Sequence, residues 1–83
     1  MQAKIGDFTV KAWKISKEID EDWVKSAFDK HQIYWNTTSY ELLIVPQFRS
    51  ISAGKIGDYL VLQNDNYMII SKKRFKKDYV IVK

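Results

Sequence analysis

Between Ile19 and Lys30 the apolar residues change their spacing, and that change does most to fix the fold class. Ile19, Trp23, Val24, Ala27 and Phe28 recur three and four apart, which lays one apolar stripe along a helix. Asp20 is the expected N-cap. Ile19 and Val24 are expected to form a hydrophobic staple, and Glu21 and Asp22 face the positive end of the helix dipole. No other stretch has this period convincingly, so one helix over about 20–30 must cover whatever sheet the rest of the chain makes.

The rest reads as strand and turn. Phe8-Thr9-Val10-Lys11-Ala12 alternates apolar and polar, the period of a strand with one face on a core. Ile33-Tyr34-Trp35 and Tyr40 to Val45 flank the turn-prone Asn36-Thr37-Thr38-Ser39, and Pro46 closes the second of these strands. A short piece, Arg49 to Ala53, precedes a turn from Gly54 to Gly57. Tyr59 to Leu62 and Tyr67 to Ile70 form a hairpin through Asn64-Asp65-Asn66. Gly6-Asp7 and Gly57-Asp58 each stand at the entry to a strand. A turn or short helix around Lys72 to Phe75 leads to a last strand, Tyr79 to Val82. The expectation is an α+β fold, a curled and mostly antiparallel sheet of five to seven short strands packed against that helix.

Size and composition limit what such a fold can be. Eighty-three residues make one domain, 1–83, because so short a chain buries only roughly 60% of its unfolded surface. Without cysteine there are no disulfides, thiolate zinc sites or thiol nucleophiles, which fits a reducing cytoplasm. The longest aliphatic run, Leu42 to Val45, is far below the roughly 20 residues that cross a bilayer. The expected location is therefore cytoplasmic, with no membrane partner. The net charge of +4 is concentrated at one end: residues 71–83 carry six basic residues against Asp78, while residues 1–70 carry eight basic and nine acidic ones.

Several short motifs together resemble a family. Val10-Lys11-Ala12, Leu42 and Ile44, Gly57-Asp58-Tyr59-Leu60-Val61, and Phe75 with Tyr79 four residues on are similar to features of small accessory proteins of phages and prophages. Those proteins open on a Val-Glu-Ala-type strand and end in a Gly-Asp-Trp/Tyr-Ile-Ile/Val hairpin closed by Phe-x-x-x-Tyr. This chain departs from them where Asn64-Asp65-Asn66 replaces a hairpin glycine and Ser71-Lys72-Lys73 replaces Lys-Pro-Asp. The resemblance implies a setting, the cytoplasm of an infected or lysogenic bacterium, often Gram-positive. It implies no biochemical role, and the matched Gly57, Asp58, Phe75 and Tyr79 look like turn and core residues.

Two groups of residues are candidates for a binding site. Lys72, Lys73, Arg74, Lys76 and Lys77 surround Phe75, so cations could neutralise phosphates while the ring stacks on a base. The plainer reading seats Phe75 in the core and leaves the cations solvated. Tyr34, Trp35, Tyr40, Tyr59 and Tyr67 fall among the strands. Alternation turns some of them outward as an interface patch, against the plainer reading of cross-strand pairs. Of these, Tyr34, Trp35 and Tyr67 join the cations as candidate partner-contacting residues.

Catalysis finds no set of cooperating residues. His31 is the single histidine and reads as a helix-end residue, which excludes a Ser/His/Asp triad or a two-histidine metal site within one chain. Glu18, Asp20, Glu21 and Asp22 lack the glycine and distal glutamate of a calcium loop. Gly54 and Gly57 belong to no phosphate-binding motif. The expectation is a non-enzymatic binding protein without metal or cofactor that inhibits or modulates a host protein or ribonucleoprotein, for example a component of antiviral defence. The alternative is an accessory module that binds DNA or RNA through residues 72–77. Either a monomer or a homodimer is compatible with the sequence.

Overall fold

The structure, a computed structural model, describes residues 1–38, 41–47 and 50–82. Expectations placed on Ser39, Tyr40, Arg49 and Lys83 lie outside the described residues. The fold is α+β. Its elements in chain order are β1 (Gln2–Ile5), β2 (Phe8–Lys14), α1 (Asp22–Asp29), β3 (Tyr34–Trp35), β4 (Leu42–Pro46) and β5 (Ile51–Lys55). There follow β6 (Tyr59–Gln63), β7 (Asn66–Ile70), α2 (Lys72–Asp78) and β8 (Val80–Val82).

These eight strands form two antiparallel sheets instead of one curled sheet of five to seven. The larger has the order β7-β6-β2-β1-β8 and the smaller β3-β4-β5. Around the end of β2 and in β6 the larger sheet is buried on both faces. Ala3, Val10, Ala12, Tyr59, Val61 and Ile70 point to one side, where Phe75 of α2 and Tyr79 cover them. Trp13 and Leu60 point to the other, where they meet Ile15, Ile33, Val24 and Ala27 of α1, and Leu43 and Val45 of β4. The second helix, α2, is thus the cover of a face that α1 does not reach. At Gly54 the β5 backbone packs directly against the side chains of Ile15 and Ile69. A Cβ added to Gly54 would lie 2.8 Å from both Ile15 and Ile69, so Gly54 is a strand residue chosen for contact and does not begin a turn.

The turns follow from backbone sterics. Gly6, at φ 58, opens the two-residue turn of the β1–β2 hairpin, in which Ile5 pairs with Phe8. Asn64 and Asp65 both take positive φ, 51 and 63, and join β6 to β7 with Gln63 opposite Asn66; Asn66 already belongs to the strand. His31, at φ 58, ends α1. Its N–H donates to Phe28 O at 3.0 Å, and Gln32 N–H to Ala27 O at 2.9 Å, which satisfies two terminal carbonyls of the helix.

Helix α1 begins later than its apolar stripe predicts, and its N-cap is Glu21 instead of Asp20. The Glu21 side chain caps no helix N–H. Its Oε1 instead accepts from the Met1 ammonium and, at 3.0 Å, from Trp23 Nε1. The Met1 ammonium also donates to Ala12 O at 3.0 Å, so this cluster ties the start of β1 to both β2 and α1. The ammonium hydrogen bond, outweighing partial burial, holds the Glu21 carboxyl below its ordinary range. A carboxyl with a depressed folded-state pKa contributes stability above its unfolded pKa, and that contribution disappears as pH falls through the folded value. Urea midpoints measured from neutrality down to about pH 3 should therefore fall with acid, and Glu21→Gln should flatten that fall. An unchanged acid limb in the variant would remove Glu21 from the account.

Candidate interaction surface

Helix α2 presents the basic residues on a short, well-anchored scaffold. Ser71 Oγ accepts from Arg74 N–H at 3.2 Å as the N-cap. Asp58 supplies a second cap from the far side of a turn, its Oδ1 accepting from Lys72 N–H at 3.1 Å. Inside the helix, Phe75 is only 2% exposed. Its ring lies flat between Tyr59 and Tyr79, with centroids 3.8 and 4.9 Å away and interplanar angles of 6°. Phe75 therefore belongs to the core, and the base-stacking role that the sequence allows it is closed.

With Phe75 facing inward at 3.6 residues per turn, the remaining positions are assigned. Lys73 and Lys77 lie on the side opposite the core. Lys72 and Lys76 flank them on one side, and Arg74 and Asp78 on the other. All five basic residues are exposed. Arg74 Nε bonds Asp78 Oδ2 at 3.5 Å, an exposed i,i+4 pair. Among the described residues, no carboxylate lies within ion-pair distance of Lys72, Lys73, Lys76 or Lys77.

On the Lys72–Lys76 side the helix faces the turn between β5 and β6, and the two enclose an open groove of ≈ 760 Å³. Lys55, Ile56, Gly57 and Asp58 line one wall, and Ser71, Lys72, Lys73 and Lys76 the other. Ile56 is 42% exposed. The turn is held firmly: Gly57, at φ 101, donates its N–H to Ile15 O at 3.0 Å, and Ile15 N–H donates to Asp58 O at 2.8 Å. Asp58 Oδ2 accepts from Lys55 N–H at 3.3 Å. One carboxylate thus pins both walls, and its two oxygens are engaged by backbone donors.

The candidate aromatics are elsewhere. Trp35 and Tyr67 pack against the core that lies on the other face of the larger sheet. Trp35 stacks on Phe28 at 5.8 Å and carries Lys17 Nζ 4.2 Å above its ring. Tyr67 stacks on Trp23 at 6.5 Å and donates its hydroxyl to Gln32 Oε1 at 2.9 Å. Burial, with a smaller effect of Asp65, raises the Tyr67 pKa, which keeps that donor protonated. Tyr59 is buried beside Phe75, and Tyr34 on β3 is exposed. The composite of cations and outward aromatics suggested by the sequence does not assemble: Lys72, Lys73 and Lys76 line the groove, Lys77 lies on the outer side of α2, and Tyr34, Trp35 and Tyr67 are not part of the lining.

Lys55 and Ile56 are the site residues that the sequence reading passed over. Nothing local marks them, because Asp58 brings their turn to α2 across 14 residues of chain. Among the described residues, no three His, Asp or Glu side chains are grouped so as to hold a metal ion, and no helix is long and apolar enough to cross a membrane. Comparison with known proteins finds no matching family model, no matching curated protein and no matching solved structure.

Proposed function

We propose that this protein is a non-enzymatic binding protein that engages a partner protein through the cationic face of α2 and thereby inhibits or modulates it. On this reading the partner belongs to the cytoplasmic machinery of a bacterial host, a setting supported by the resemblance of Val10-Lys11-Ala12, Gly57-Asp58-Tyr59 and Phe75 with Tyr79 to phage accessory proteins. The observation that carries the reading is the combination at the groove: lysines with no ion-pair partner among the described residues, facing a wall that exposes Ile56, with the neighbouring aromatic Phe75 sealed inside the core. Unpaired cations at fixed positions repel one another and are best accounted for by an anionic surface they are built to meet.

The chemistry of these cations favours protein carboxylates over nucleic-acid phosphates. Arg74, whose guanidinium fork is the better match to a phosphate, is turned away from the groove and bonded to Asp78. Among the described residues, no aromatic ring lines the groove to receive a base. The test is affinity capture from a bacterial host lysate, with and without nuclease, using the wild type and a variant in which Lys72, Lys73, Lys76 and Lys77 are alanine. The expected result is a discrete protein retained by the wild type after nuclease and lost with the variant. Material that disappears on nuclease treatment would assign the face to nucleic acid instead.

A further inference from the structure

The geometry points to a specific ligand for the groove between α2 and the 55–58 turn: a short acidic protein segment with one uncharged apolar residue between its carboxylates. This rests on the reading of α2 as a protein-binding face and adds the chemistry of what it binds.

The division of the groove carries the inference. Lys55, Lys72, Lys73 and Lys76 line it together with Ile56, its one large apolar residue, and long lysine stems add apolar surface while their ammonium groups seek water. Asp58 is also part of this lining. Its oxygens accept from Lys55 and Lys72 N–H, but the carboxylate still carries charge. An anion held against Asp58 would meet that charge, whereas one held by the lysine ammonium groups meets its opposite. A phosphate backbone, charged at every unit, fits this pattern poorly. A peptide that places carboxylates outside and an apolar side chain inside satisfies each part of it.

The exposure of Ile56 gains a reason on this account. A single exposed isoleucine is ordinary on a protein surface, but this one stands in a wall fixed by five hydrogen bonds, opposite a capped helix. Both walls are set before a ligand arrives, so little ordering cost is added on binding.

The test is an NMR titration of the full chain with three probes: the peptides Glu-Asp-Leu-Glu-Asp and Glu-Asp-Ser-Glu-Asp, and a single-stranded oligothymidylate of equal charge. The leucine peptide should bind about tenfold more tightly than the serine peptide, the return on partly burying one leucine, with shifts confined to 55–58 and 71–76. Ile56→Ser, at an exposed position and checked for unchanged melting, should erase the leucine advantage. Equal binding of the two peptides would overturn the inference, and so would preference for the oligonucleotide with no dependence on Ile56. If both peptides bind equally but weaken in the Lys72→Ala/Lys76→Ala variant, the cationic-face reading survives and the anchor does not. If that variant changes no probe, both fall.

Discussion

Phe75→Ala is expected to remove about 3–5 kcal/mol of stability, the usual cost of deleting a buried phenylalanine. The ring is almost fully enclosed and lies in a stack with Tyr59 and Tyr79. Truncation would leave a cavity between two large aromatics, each fixed by its own strand or helix end. Native domains are stable by only about 5–15 kcal/mol, so the loss is a large fraction of what holds this one folded. Phe75→Leu keeps most of the buried surface and should cost much less. Urea denaturation of the two variants measures this. If Phe75 instead faced solvent as a base-stacking residue, alanine would change stability by no more than about 0.5 kcal/mol, and such a result would contradict the packing described above.

The same residue shows what a sequence can and cannot convey. That residues 72–77 are basic around one phenylalanine is plain on reading. That Phe75 points inward was one of two readings, and what decides between them is nonlocal: Tyr59 on β6 and Tyr79 beyond the helix close over it. Local rules did well where the cause is local. Asn64-Asp65 makes a hairpin because both residues tolerate positive φ, and the stripe from Ile19 to Phe28 makes a helix that buries Val24 and Ala27. They did less well where the partner decides. Gln2-Ala3-Lys4-Ile5 has no strand signal strong enough to stand alone, yet it is paired on both sides, with β2 and β8.

Alternation reports which residues share a face and says nothing of how many faces are covered. The adjacent Ala12 and Trp13, both buried, mark the point where β2 is covered on both faces, and Tyr59-Leu60-Val61 in β6 repeats that signature. Read in that light, the second cover was partly legible. The order β7-β6-β2-β1-β8 was not, and it is this order, with α1 and α2 on opposite faces, that sends the cations to one place and Trp35 and Tyr67 to another. The groove is the least legible feature, since what joins its two walls is Asp58, 14 residues before Lys72 in the chain.

Replacing Lys72, Lys73, Lys76 and Lys77 together with alanine is expected to move binding and stability in opposite directions. Each exposed lysine–carboxylate contact contributes roughly 0.2–1 kcal/mol, so losing four should weaken the captured partner's affinity on the order of 100-fold. The remaining affinity should depend less on salt, because screening acts on the contacts that have gone. Stability should rise by about 0.5–1 kcal/mol. Lys72 with Lys76, and Lys73 with Lys77, are like charges four apart on one helix, a repulsion the change removes, and alanine is the better helix former. Arg74→Ala is the control: it breaks the exposed pair with Asp78 on the side away from the groove and should leave binding within about twofold, since an exposed pair is worth little. A protein that is more stable without these four lysines but no longer holds its partner keeps them for binding. Equal affinity in the quadruple variant would show instead that they only solvate the helix.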